Sequence, residues 1–531
     1  MLKQTTAAVI IAVSSILLLS LPWAARADDG VIAVKIQAIN DLHGGIDTGR
    51  RVGNRPVGGA GNLAAQMKQR AAGHPHVLRV GAGDMVGGSP STSALLQDEP
   101  TIRVLNALGL LVNSPGNHEF DEGIGEFFRL TNGGCHPVTG CFEGARFKQI
   151  SANILVDATG ESLLAPYHIE LVDGVPIGFI GATHADVARV VVAGAVDGLH
   201  FADPAASINR YVSELQLRGV RAIVVLIHDG AEPRRNDGRL SGPFVQMVEA
   251  LNPEVDVVVS AHSHQGYAAR IGGKLVTQAH SYGSAFADID LTIDRQTHDV
   301  VSSWADIIAV PGSGITPDPE ILAIVDDAQA RVGPMVTRLV GTASRAITAE
   351  QTRTGESALG NLIADAHRWK GGSTIAMTNP GGIRAPLAAG SVTWGELFAI
   401  QPFGNELVSM NLLGAQLQSI LELQWTAQTD GSERYRPLQV SGIRIVWDGR
   451  QPLGQRIVGI TLDDGTAVLP NNVYKVTVNS FIAGGGDGFW ILNDGFNREY
   501  GVVDIDALVD YVEQLPQPFD ARIEGRISRL D

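Results

Sequence analysis

Val31-Ile32-Ala33-Val34-Lys35-Ile36-Gln37-Ala38-Ile39 runs directly into Asn40-Asp41-Leu42-His43-Gly44. Nine residues dominated by Val, Ile and Ala predict a buried strand. The next five set a carboxylate and an imidazole two residues apart in a loop that ends on glycine. The same junction recurs along the chain. Residues 77–82 lead into Gly83-Asp84, 222–227 into His228-Asp229-Gly230, and 255–260 into Ala261-His262-Ser263-His264. Gly116-Asn117-His118-Glu119 completes the set. Residues 150–154 and 175–180 are two further apolar runs, and stretches of helical period (61–70, 101–108 and 204–218) lie between the runs. Short strands alternating with helices predict a layered α/β domain. Polar clusters at strand ends are where such domains build their sites.

The clusters offer carboxylate, amide and imidazole but no thiolate. Hard oxygen donors mixed with imidazole suit Mn, Zn, Co or Mg, and exclude an iron–sulfur or Cys-zinc site. Seven such ligands with one shared Asp can hold two adjacent divalent ions, the usual device for displacement at phosphorus.

A chain of 531 residues is too long for one core and implies two or three domains. Residues 1–27 read as a signal peptide: Lys3, an apolar stretch from Ala7 to Trp23, and the cleavage pattern Ala25-Arg26-Ala27. The mature chain then begins at Asp28, and export to periplasm or medium is expected. With no Cys beside the cleavage site and no apolar C-terminal tail, no stable membrane anchor is expected. Cys135 and Cys141 flank a turn-rich loop and read as a disulfide that staples it, because a metal or redox pair lacks a third thiol. The formal charge is −16, and loss of Lys3 and Arg26 takes it to −18. That balance argues against a nucleic-acid partner, but not against an anionic substrate beside bound cations. The oligomeric state is not legible.

A boundary is expected near Val310-Pro311-Gly312-Ser313-Gly314. Residues 28–314 form the first domain, and 315–340 hold a linker helix over 318–332, stopped by Gly333-Pro334. Residues 341–531 form a second, α+β domain.

Taken with Gly83-Asp84-Met85-Val86-Gly87-Gly88-Ser89-Pro90, Glu99-Pro100-Thr101, Asn106-Ala107-Leu108-Gly109 and Asn117-His118-Glu119-Phe120-Asp121-Glu122-Gly123, the five clusters resemble the calcineurin-like metallophosphoesterases. More narrowly, the chain is similar to the exported bacterial 5′-nucleotidases and UDP-sugar hydrolases over nearly all of its mature length. The resemblance implies a four-layer metallophosphoesterase sandwich followed by a separate substrate-binding domain. It implies one metal on Asp41, His43, Asp84 and His264, and a second on Asp84, Asn117, His228 and His262. A water between the ions, deprotonated near neutral pH, becomes the nucleophile. His118 is then the non-ligand catalyst, and Asp121 holds its other ring nitrogen.

In the second domain, Asn379-Pro380-Gly381-Gly382-Ile383-Arg384 combines an amide, bare backbone at Gly382 and a guanidinium suited to phosphate. Phe403 and Phe481 match the family's base-stacking positions and Asp487 its ribose-binding one. Arg353 is carried over as the nearest candidate for a further Arg, although Gly355 stands directly before Glu356 where the family often has one. His184 and His280 have no family counterpart and are expected to be structural or supporting. The implied activity is hydrolysis of nucleoside 5′-monophosphates, in nucleotide catabolism. Hydrolysis of nucleotide sugars or other pyrophosphates, or of 2′,3′-cyclic nucleotides, stands as the alternative, and a non-catalytic nucleotide-binding surface protein as the non-enzyme one.

Overall fold

The computed structural model describes residues 30–47, 51–52, 55–192, 194–233, 239–428 and 433–530. The expected signal peptide therefore lies outside the described residues. Val31–Ile39 is a strand as expected, at the middle of a six-stranded sheet. Its order is Val300–Ala309, Ala285–Asp294, Val31–Ile39, Val77–Gly81, Val112–Asn113 and Lys148–Gln149. The last four run parallel. A second six-stranded sheet has the order Tyr167–Val172, Val175–Thr183, Ala222–His228, Val257–Val259, Lys274–Ala279 and Gly266–Ile271. Its middle four strands are also parallel.

Alternation explains the layering. Val34, Ile36 and Val80 from the first sheet meet Phe179, Val224 and Leu226 from the second in one buried cluster. Residues on the outer faces bury against helices. Ile39 packs with Leu63, Ala64 and Met67 of helix Ala60–Ala71. Ile223 and Val225 pack with Ile208, Val212 and Leu215 of helix Pro204–Leu217. Strands buried on both faces read as continuous apolar runs, and helix–sheet–sheet–helix is the four-layer sandwich expected.

Residues 150–154 do not form the expected single strand. Lys148–Gln149 ends the first sheet, Ile154–Val156 pairs with Leu199–Phe201 in a separate two-stranded ladder, and the chain between them crosses from the one to the other. The buried Asn153 makes the crossing possible: its side chain bonds to the Thr183 and Ala202 carbonyls and accepts from Thr183 N–H. Cys135 and Cys141 are joined by a disulfide across the hairpin Gly134–His136 and Gly140–Phe142.

Helix Pro319–Val336 starts under Asp318, whose carboxylate accepts from Glu320 and Ile321 N–H. It is not stopped at Gly333-Pro334. Pro334 lies in the last turn, where only one helical N–H is forfeited, and Thr337 closes the end with two bonds to the Gly333 carbonyl. The second half of the chain carries a five-stranded sheet in the order Gln439–Ser441, Ile375–Thr378, Val473–Asn479, Glu406–Leu413 and Phe496–Val503. Helices Ala358–Gly371 and Asp504–Gln514 pack together over buried Leu359, Leu362, Ile363 and Leu508. Among the described residues, no helix is long and apolar enough to cross a membrane.

Candidate metal centre and substrate cavity

Every cluster noted in the sequence falls at the C-terminal edge of a parallel strand, and the two sheets bring those edges together. Asp41 and His43 follow Val31–Ile39, Asp84 follows Val77–Gly81, and Asn117 follows Val112–Asn113. From the second sheet, His228 ends its strand and His262 and His264 follow Val257–Val259. Among the described residues three groups of possible ligand atoms result, each within 4.8 Å: Asp41, His43 and His264; Asp84, His228 and His262; and His43, Asp84 and His118. Asp84 links the groups, with Oδ2 3.7 Å from His43 Nε2 and 3.0 Å from His228 Nε2. His264 Nε2 lies 3.1 Å from His43 Nε2 and 3.4 Å from Asp41 Oδ1. His262 and His264 are both left-handed, at φ 67° and 57°, and both reach the site.

Local packing fixes these donors before any ion arrives. His43 Nδ1 lies 2.9 Å from the Gly87 carbonyl and His228 Nδ1 2.9 Å from that of Ala82. A carbonyl accepts only from N–H, so each imidazole donates through Nδ1 and turns Nε2 toward the carboxylates. Gly116 makes room for this. A Cβ there would stand 2.3 Å from Asp84 Oδ1 and 2.6 Å from the His228 ring. Glu119, to which sequence reasoning gave no role, accepts from the N–H groups of Asp84, Met85 and Gly116. Asn40, also missed, donates to Asp41 Oδ2 and the His280 carbonyl. Their signal was their place inside the motifs.

The electrostatics call for cations. Burial lowers His43 and His262 well below the ordinary histidine value, so both are neutral donors. Burial acts the same way on His228, but Asp84, Asp41 and Glu119 outweigh it and push its pKa up to about 10. Its Nε2 is nonetheless buried without a well-formed hydrogen bond, the close approach of Asp84 Oδ2 included. Neutral imidazoles, two carboxylates and an orphaned ring nitrogen fit hard divalent ions.

His118 stands beside this centre. Its Nδ1 lies 2.7 Å from Asp121 Oδ2, as expected, and its backbone N–H donates to Asp84 Oδ1. Burial disfavours charge on His118, but Asp121 and Asp84 prevail and hold its pKa above the ordinary value. His184 is 9% exposed, with its ring 4.6 Å from that of His262. Burial and the His228 charge hold its pKa down at about 3, so it is a neutral wall of the site. His280 is exposed.

A cavity of about 310 Å³ opens from Asn117, His118, Asp121 and His262 onto Asn379, Gly382, Arg384, Phe403, Phe481 and Asp487. All the C-terminal residues singled out by sequence except Arg353 thus line it. Arg353 is exposed and outside the lining. Arg434 and Arg436, which the sequence reading missed, line it instead. Arg436 lies 3.2 Å from Asp487 Oδ1, while Asn379 donates to Asp487 Oδ2. Arg384 Nε and Nη2 are buried with no hydrogen-bond partner, a standing demand for an anion.

A cluster of metal donors facing an anion-seeking second domain defines a two-domain metallophosphoesterase. Residues 34–266 match the calcineurin-like phosphoesterase model, and residues 337–494 match the 5′-nucleotidase C-terminal domain. The chain belongs to the family that joins these two domains. It is 36% identical over 507 residues to the protein named endonuclease YhcR of Bacillus subtilis, covering 94% of this chain and 41% of that one. It is 33% identical to the cell wall protein Lmo0130 of Listeria monocytogenes, covering 88% of this chain and 65% of that protein. The chain thus spans less than two thirds of either relative. Among solved structures it superposes on a 5′-nucleotidase precursor from Thermus thermophilus. The TM-score there is 0.81 at 28% identity, over 94% of this chain and 100% of that one.

Proposed function

We propose that the chain is a divalent-metal phosphohydrolase that splits nucleoside 5′-monophosphates into nucleoside and phosphate. The carrying observation is the cavity that joins the metal donors and His118 to the orphaned Arg384 guanidinium and to Phe403, Phe481 and Asp487. The likeness to a structure titled 5′-nucleotidase precursor supports the same reading.

Asp41, His43, Asp84 and His264 would hold one ion, and Asp84, Asn117, His228 and His262 the other. Such ions supply Lewis acidity toward phosphoryl oxygen and make water acidic enough to attack near neutral pH. Arg384 pairs with the phosphoryl oxygens through the N–H groups left free. His118, kept charged by Asp121, donates its Nε2 proton to the departing 5′-oxygen. Phe481 and Phe403 offer aromatic faces to the base, and Asp487, held by Asn379 and Arg436, accepts from ribose hydroxyls. Cleavage then belongs to residues 28–314 and nucleoside binding to 341–531. The leader-like residues 1–27 and the relative named a cell wall protein support export.

The test is phosphate release from AMP by metal-stripped protein resupplied with Mn, Zn, Co or Mg, with His118→Ala and UDP-glucose in parallel. Metal-restored AMP turnover that falls about 10²–10⁴-fold in His118→Ala is expected. Turnover of UDP-glucose alone would move the substrate to the pyrophosphate class. Silence on both substrates would refute the enzyme.

A further inference from the structure

The Phe403 ring stacks on the His118 imidazole, with centroids 5.6 Å apart and planes 17° from parallel. The contact crosses from the second domain to the first. Gly88 of the first domain also closes against Phe403: a Cβ there would stand 3.0 Å from Phe403 Cε1 and 3.2 Å from Cζ. Gly88 is left-handed, at φ 57°, so that backbone favours glycine. The Arg384 guanidinium lies 5.5 Å from the Phe403 centroid. The ring is therefore wedged among Gly88, His118 and Arg384, and one of its faces is occupied by the imidazole.

His118 has two restraints in its own domain. Asp121 ties Nδ1, and the His43 ring meets it edge-on at 4.9 Å. Phe403 adds a third restraint, stacked nearly parallel on the imidazole. A tethered Nδ1 leaves the imidazole free to swing about that hydrogen bond, and swinging moves Nε2, the atom that must meet the leaving oxygen. Proton transfer needs that atom placed closely, and a misplacement of about 1 Å costs about 10²-fold in rate.

We infer that Phe403 is a positioning residue for His118, completing the alignment of the general acid only when the second domain is closed over the first. The inference rests on the phosphohydrolase reading above, and concerns a face of Phe403 that a base does not use. It makes proton delivery conditional on domain apposition, so phosphate esters that fail to draw the domains together meet a misaligned acid.

A double-mutant cycle on kcat for AMP tests this. Phe403→Leu is expected to lower kcat about 10²-fold in the wild-type background, and no more than about threefold in His118→Ala, where nothing remains to position. Phe403→Tyr keeps an aromatic face and restores kcat. Gly88→Ala, whose Cβ would crowd the ring at 3.0 Å, is expected to reproduce the Phe403→Leu pattern, and circular dichroism with a single cooperative melt for each variant excludes a folding artefact. The loss in Phe403→Leu should also follow His118→Ala across leaving groups, whatever its size on p-nitrophenyl phosphate. Equal fold-losses in both backgrounds, or a rise in KM at unchanged kcat, would overturn the inference and leave Phe403 a base-stacking residue. A wild-type protein without AMP turnover, or a His118→Ala variant with full kcat, would overturn the underlying reading as well.

Discussion

Asp41, His43, Asp84, His262 and His264 have φ of 49°, 45°, 51°, 67° and 57°, a region L-residues avoid. Each costs about 1–3 kcal/mol and persists only where the surroundings over-determine it. Here they do. Asp41 N–H donates to the Gly83 carbonyl, His43 N–H to that of Asp84, and His262 N–H to the Asp41 carboxylate. The strained loops support one another, and their side chains converge on one volume. Asp84, within reach of both His43 and His228, is the member whose loss is expected to do most. Asp84→Asn should retain no more than one equivalent of metal by elemental analysis, and lose at least about 10²-fold in kcat. Two retained equivalents would refute its bridging place. The donors themselves were legible, because Asp, Asn and His directly after apolar runs stand out. Glu119 and Asn40 were not, since they act through backbone N–H and carbonyl groups that no sequence pattern displays. Arg434 and Arg436 were missed for another reason: chain reversal, not motif, brings them to Asp487.

At the scale of elements, amphipathic pattern placed most helices and strands closely, although the strand read at 175–180 runs on to Thr183, and it failed where polar groups are buried on purpose. Residues 150–154 look like a strand until Asn153 is seen bridging Thr183 and Ala202. Pro334 looks like a stop until its position in a last turn is known. Helix Pro319–Val336 depends on its cap, and Asp318 also pairs with Lys68 of helix Ala60–Ala71. Asp318→Ala should therefore cost about 1–2 kcal/mol by chemical denaturation, and a neutral result would deny the cap its part. Helix Ala358–Gly371 carries a different liability. His367 is fully buried, with the Gln401 amide nitrogen 3.3 Å from its Nε2, and burial depresses its pKa to about 3. The folded state keeps it neutral while the unfolded chain takes a proton below about pH 6.5. Its contribution is thus present above that pH and is lost as pH falls toward 3, at up to about 1.4 kcal/mol per pH unit. His367→Gln should flatten this acid slope. An unchanged slope would assign acid sensitivity elsewhere.

For the whole molecule, the two halves are coupled through more than the cavity. Helix Pro319–Val336 packs on helices Ala60–Ala71 and Glu99–Leu108 on one side and on Trp394–Ile400 on the other. Buried Leu96, Ala328 and Val332 form its seam. Val332→Asp buries an unpaired charge there. Calorimetry should show one unfolding transition for the native chain and two for the variant; a single transition shifted as a unit would make the halves one folding body. Composition and patterning disclosed two domains. They did not disclose that Phe403 of one would lie on His118 of the other, because a contact between surfaces leaves no periodicity in either.

The register of the central strand bears on the order of events when the protein is made. Lys35 on the first strand bonds to Asp288, 253 residues later, and Val31 through Ala38 pair with Asp294 through Ala287. One edge of that strand thus stays unsatisfied until the segment Ala287 to Asp294 has been made. Such distant pairing makes folding slow and late. The donor set, which closes only at His264, cannot exist before then. Any ions are therefore acquired only once the chain through His264 has folded, so the metal supply where folding finishes bears on which ions the donors take up.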